Sequence, residues 1–204
     1  MSSLIDVLAG AVPPLISALA GLGGVWLGSN ATAQREIDRE ARTNTMERAY
    51  LSVYLSVELE KFADGCLAVA SDTGVDEDGR PAGDDGAHCA TASYPEFQAS
   101  VVDGNWKSLS AGILDRVLSI QYRLQQHAAT INAYSVHAFP PDYSEFFVAR
   151  RYCFAKLGLE IVGLIDDMRK EAGLPEVVRE SHEWSREKRL QAIYDRFSAQ
   201  MELA

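Results

Sequence analysis

Few side chains in this sequence stand at spacings that could do chemistry. His182-Glu183-Trp184-Ser185-Arg186 begins like the zinc-hydrolase pattern H-E-x-x-H, but Arg186 occupies the second histidine position, so one helix face would offer a single imidazole. Asp76-Glu77-Asp78-Gly79 has the acidity of a calcium loop, yet an EF-hand needs its glycine sixth and a glutamate twelfth, and here the glycine comes fourth. His88-Cys89 is one ligand pair where tetrahedral zinc takes four, and Cys66 would join it only by an accident of folding. A di-metal bundle site calls for Glu-x-x-His, and no glutamate is followed by histidine three residues on. Nucleophilic catalysis usually leaves a local signature such as G-x-S-x-G, which does not occur, and neither does G-x-x-x-x-G-K-[ST]. Arg150 and Arg151, on the first turns of a predicted helix, are the remaining anion candidates against the commoner reading of solvated arginines. The expectation is a non-enzymatic chain with no catalytic residue, no metal and no cofactor.

Charge narrows the partners. A formal net charge of -10, with bases mixed among acids, opposes binding to phosphate backbones, which need a basic face. The densest basic run, Arg186 to Arg189, is short and stands beside Glu183. No nucleic acid is expected as a partner.

The elements that would position any site begin with an apolar run. Between Asp6 and Arg35 no residue is charged, and VLAGAVPPLISALAGLGGVWLG is long enough to cross a bilayer, which takes about 20 residues. Residues 1–34 are therefore expected to form a transmembrane anchor. A signal peptide cleaved after Ala31-Thr32-Ala33, a buried core helix and a span shortened at Pro13-Pro14 are the alternatives. Arg35, Arg39, Arg42 and Arg48 all follow the run, which puts the N-terminus outside the inner membrane and residues 35–204 in the cytoplasm. Three cysteines, Cys66, Cys89 and Cys153, with no pairing pattern suit a reducing compartment. Gly21, Gly24 and Gly28 line one face with G-x-x-x-G spacing, the expected contact for helix–helix association in lipid.

The rest reads as helices, and the fold class is all-α: an anchor, a stalk and an antiparallel bundle of about four helices. QREIDREARTNTMER is polar nearly all round and reads as a stalk or coiled-coil flank. From Met46 two stripes run side by side, Met46, Tyr50, Val53 and Val57 beside Leu51, Leu55, Leu59 and Phe62, a width that needs more than one neighbour. Residues 71–104, rich in Asp, Gly and Pro, read as a flexible acidic loop. Trp106, Leu109, Ile113, Val117, Ile120, Leu124, Ile131 and Tyr134 predict one amphipathic helix capped by Asp103 or Asn105, with His127 at its boundary. Pro140-Pro141 ends it. Asp142 and Glu145 predict a capping box for the next helix, which carries Phe147, Phe154, Leu157, Ile161, Leu164, Ile165 and Met168 and stops at Gly173. A last helix, 182–204, is expected to bury Trp184, Leu190, Ile193, Tyr194, Phe197 and Met201.

The succession GLGGVWLGS, REIDREAR, ERAYLSVYLSVELEKF resembles, in layout, a loose group of small bacterial single-pass inner-membrane proteins with a helical cytoplasmic domain. That resemblance covers the first third and implies no functional residue. Two functions follow as expectations. One is a membrane-anchored helical scaffold or adaptor, with the lipid bilayer and a protein partner or a second copy as its contacts. The other is an oligomerising membrane effector that perturbs the bilayer, with the bundle as its sensor.

Overall fold

The computed structural model describes the backbone of residues 3–179 and 182–202, and the side chains of 32–179 and 182–201. It is all-helical: α1 (Ser3–Ser71), α2 (Ala111–Leu118), α3 (Ile120–Ser135), α4 (Ser144–Glu171) and α5 (Arg186–Glu202), with one-turn helices at Ala99–Val101 and Trp106–Ser108. Among the described residues there is no strand, only an isolated bridge between Val75 and Pro81. The chain divides into two compact units, Met1–Met46 and Glu47–Ala204.

In the first unit the described side chains are mostly polar and mostly exposed, with local bonds such as Gln34 to Asp38 at 3.2 Å and Thr45 to the Ala41 carbonyl at 2.8 Å. The expected inner-membrane span is corrected here. Among the described residues no helix is long and apolar enough to cross a membrane. From Thr32 onward α1 meets a charge every few residues, and its longest uncharged stretch, Ala49 to Val57, is about half of the ~20 residues a bilayer requires. The side chains of the apolar run, with Gly21, Gly24 and Gly28, lie outside the described residues. The expected topology rested on that span and is not carried further.

The second unit is built around α4. Its Phe154, Leu157, Ile161, Leu164, Ile165 and Met168 are buried together with Leu51, Leu55, Leu59, Phe62 and Cys66 of α1, Ile113 and Val117 of α2, and Ile120, Leu124 and Ile131 of α3. Two glycines set approach distances. At Gly65 a Cβ would lie 2.6 Å from the Pro95 side chain, so the segment after α1 packs on the helix only where a methyl is missing. At Gly158 it would lie 2.9 Å from Leu190, which seats α5 in a notch of α4 beside Cys66.

The single helix expected after Asn105 is broken. Asn105 caps the one-turn helix through Lys107 N at 3.2 Å, and Ser110 caps α2 through Ile113 N at 3.3 Å. Between α2 and α3 only Ser119 intervenes, its hydroxyl bonded back to the Arg116 carbonyl at 3.1 Å, while Ser119 N still donates to the Asp115 carbonyl at 2.9 Å and the apolar stripe carries on across the junction. The capping box before α4 does not form: the N-cap position falls on Tyr143, in the left-handed region at φ 46, with no side-chain cap. The C-terminus of α4 follows expectation. Gly173, at φ +67, donates to the Lys170 carbonyl at 3.1 Å and Leu174 to that of Arg169 at 2.9 Å, a Schellman closure. Trp184 lies before α5 and is 79% exposed, so it is no part of the stripe assigned to it.

Leu190 has no exposed surface, and truncating it opens a void on both the α4 and α5 sides. Leu190→Ala should cost about 2–5 kcal/mol in denaturant unfolding, whereas the exposed Gln191→Ala should change stability by about 0.5 kcal/mol or less.

Candidate functional site

The two stripes of α1 meet different fates. Leu51, Leu55, Leu59 and Phe62 are 0–2% exposed against the core. One helix face away, Tyr50, Val53, Tyr54 and Val57 remain 54%, 41%, 52% and 50% exposed. Their spacing of three and four is that of a helix-packing seam, and among the described residues no helix packs on it. Met46, in the first unit, is also exposed. The two tyrosine rings lie against each other, centroids 4.6 Å apart and planes tilted by 44°.

The segment beside this face is fixed in place. Arg48 Nε donates to the Ser108 carbonyl at 2.7 Å, Asn105 Nδ2 to Glu47 at 2.6 Å, and Trp106 Nε1 to the Val102 carbonyl at 3.3 Å. Val102 is buried, while Val101 and Asp103 project outward. A groove of about 390 Å³ results, walled by Tyr50, Tyr54 and Val57 on α1 and by Val101 and Asp103 opposite. On the other flank Val53 and Val57 border a second groove of about 500 Å³ that reaches Val177 and Val178.

A buried ion pair holds the frame of the unit. Asp72 follows α1 directly, and its carboxylate accepts from Arg150 at 2.5 Å, from the Gly74 N–H at 2.9 Å, from the Thr91 and Ala92 N–H groups at 2.9 Å each and from the Thr91 hydroxyl at 3.0 Å. Arg150 also donates to the Ala92 carbonyl and lies 5.5 Å from the centre of the Tyr94 ring. Burial pushes the Asp72 carboxyl up, but the bonds from Ala92, Gly74, Arg150 and Thr91 outweigh it and hold the group at about 2. Arg150, read in the sequence as a solvated surface arginine with an external anion as the lesser alternative, is instead buried and binds an anion supplied by its own chain. Its neighbour Arg151 donates to the Ala70 carbonyl at 3.0 Å and stacks on Phe197 at 4.9 Å.

The other sequence candidates are absorbed into structure. Asp76 closes its own turn, accepting from Asp78 N at 3.0 Å and Arg80 N at 2.8 Å. His88 and Thr73 are linked at 2.8 Å, and among the described residues no group of three or more His, Cys, Asp or Glu side chains could hold a metal. Burial raises the thiols of Cys66 and of Cys153, the latter to about 11, as for small buried hydrophobes. Burial lowers His127, with Lys156 and Arg123 adding to the effect and Glu160 opposing it. In the H-E-W-S-R stretch, His182 Nδ1 accepts from the Trp184 N–H at 3.1 Å, and Arg186 ties α5 to α1 through Glu60 and through Asp64 at 2.9 Å. A cleft of about 550 Å³ at the end of α4 is lined by charges that are largely spoken for: Arg179 binds Asp166 at 2.7 Å, Arg116 binds Asp167 at 2.6 Å, and Arg169 binds the Pro175 carbonyl at 2.9 Å.

No protein-family model, curated protein or solved structure matches the chain.

Asp72 carries a sharp expectation. A carboxyl held at about 2 in the fold and near 3.8 when unfolded stabilises fully above the unfolded value and loses that contribution as pH falls through about 4 to 2. The loss should be about 2 kcal/mol in acid unfolding curves. Asp72→Asn, which strands the Arg150 charge, should cost about 3–5 kcal/mol at neutral pH and flatten the curve in that window.

Proposed function

We propose that the chain is a non-enzymatic helical adaptor, a bundle of about four helices formed by α1, α3, α4 and α5, that binds another protein on the exposed seam of α1. The observation that carries this reading is the contrast within α1: the leucine stripe is fully covered by the chain itself, and its neighbour of valines and tyrosines, at the same helical spacing, stays 41–54% exposed. Contiguous apolar surface of this kind marks interaction sites on folded proteins more often than it occurs by chance. The site also sits on a helix whose opposite side is locked in the core, so it presents a preorganised surface. Catalysis finds less support, since the one serine or threonine hydroxyl in these three clefts, that of Ser56, donates to the Ser52 carbonyl at 2.7 Å rather than to a base.

The test is site-specific photocrosslinking in cells of the source organism. A photoreactive residue at Val53 or Val57 should give a discrete heteromeric adduct, and one at Gln126, exposed on α3, should not. Tyr54→Asp should abolish the Val57 adduct while the purified chain stays folded, at a cost of about 1 kcal/mol for the lost contact with the Tyr50 ring. No adduct at either valine, or the same adduct at Gln126, would sink the adaptor reading.

A further inference from the structure

The groove between α1 and the Val101–Asp103 segment has a chemistry of its own. Its walls are apolar at Val57 and Val101, aromatic at Tyr50 and Tyr54, and acidic at Glu58 and Asp103, with no lysine, arginine or histidine among its lining residues. Glu58 is paired with Lys61 at 2.7 Å. Asp103 is exposed and has no ion-pair partner among the described residues. Tyrosine faces attract cations, methylene stems pack on valine, and a carboxylate completes the pairing.

We propose that the occupant of this face is an amphipathic helix of another protein whose apolar stripe lies along Tyr50, Val53 and Val57, and whose arginine enters the groove, stacking on Tyr50 and Tyr54 and pairing with Asp103. This rests on the adaptor reading and adds the partner's chemistry to it. Arginine fits better than lysine because its planar guanidinium stacks on a ring while its edge meets a carboxylate. A second copy of this chain fits less well. A two-fold contact sets the same patch against itself, bringing Glu58 and Asp103 of one copy toward those of the other in a chain of net charge -10. Nucleic acid is opposed by the same carboxylates.

The probes are two designed peptides of about 18 residues, long enough to hold a helix, with leucines at three-and-four spacing and either arginine or glutamate at the flanking positions. Their affinity for the full chain is read by fluorescence anisotropy. The arginine peptide should bind at least tenfold more tightly than the glutamate peptide, a gap that Asp103→Asn should narrow about tenfold by weakening the arginine peptide alone. Val53→Asp should weaken both. Equal binding of the two peptides, with both sensitive to Val53→Asp, would overturn the arginine assignment and leave the adaptor reading standing. Binding that ignores Val53→Asp, or no binding of either peptide, would overturn both. A dimer in sedimentation that Val53→Asp dissociates would give the face to a second copy and overturn the inference.

Discussion

A single buried carboxylate decides how this chain folds back on itself. Asp72 stands where α1 ends, and the five hydrogen bonds it accepts come from the turn that follows, from the loop at Thr91 and Ala92, and from Arg150 in the second turn of α4. Removing two charges from water costs several kcal/mol per ion, and only a nearly complete set of partners repays it. That condition is met on the acidic side by backbone N–H groups fixed by the loop itself. The loop therefore depends on the ion pair for its path, and the ion pair depends on the loop for its solvation.

The frame this creates explains why one face of α1 can stay bare. With its C-terminal end held by Asp72, its middle filled by the Leu51, Leu55, Leu59 and Phe62 stripe, and Glu60 and Asp64 bound to Arg186 of α5, the helix is fixed on the buried side without help from the exposed one. Tyr50, Val53, Tyr54 and Val57 contribute little to that fixing, so polar residues there would serve folding equally well. Their apolar and aromatic character, at helical spacing on an exposed face, is what calls for a role outside the fold.

Periodicity made much of this legible in advance: α4 with its buried face, the stop at Gly173, the double stripe of α1 and the all-helical class. Boundaries set by single side chains were not, because Ser110, whose hydroxyl caps α2, looks in sequence like any other polar residue on a helix. The capping box failed for a related reason, since the pattern at Asp142 and Glu145 is satisfied by composition and the backbone at Tyr143 turns the other way. The Asp72–Arg150 pair spans 78 positions and leaves no local mark. Two faint signals did exist: an arginine between Phe147 and Phe154 in a stripe otherwise apolar, and an aspartate followed by Thr-Gly at a helix end, where a side chain caps its own turn. The bilayer reading shows the opposite hazard, in which hydropathy over residues 7–28 spoke louder than any described helix supports.

The tie between Arg186 and Glu60 crosses 126 positions, and it sets a timetable for biosynthesis. At roughly 5–20 residues per second a ribosome needs about 6–25 s to pass from one to the other. For most of that interval, once Ser71 has been added, α1 is complete while the helices that cover its leucines are still being made. The nascent chain thus shows two apolar stripes where the finished protein shows one, and holdase chaperones have their opening before α4 and α5 emerge.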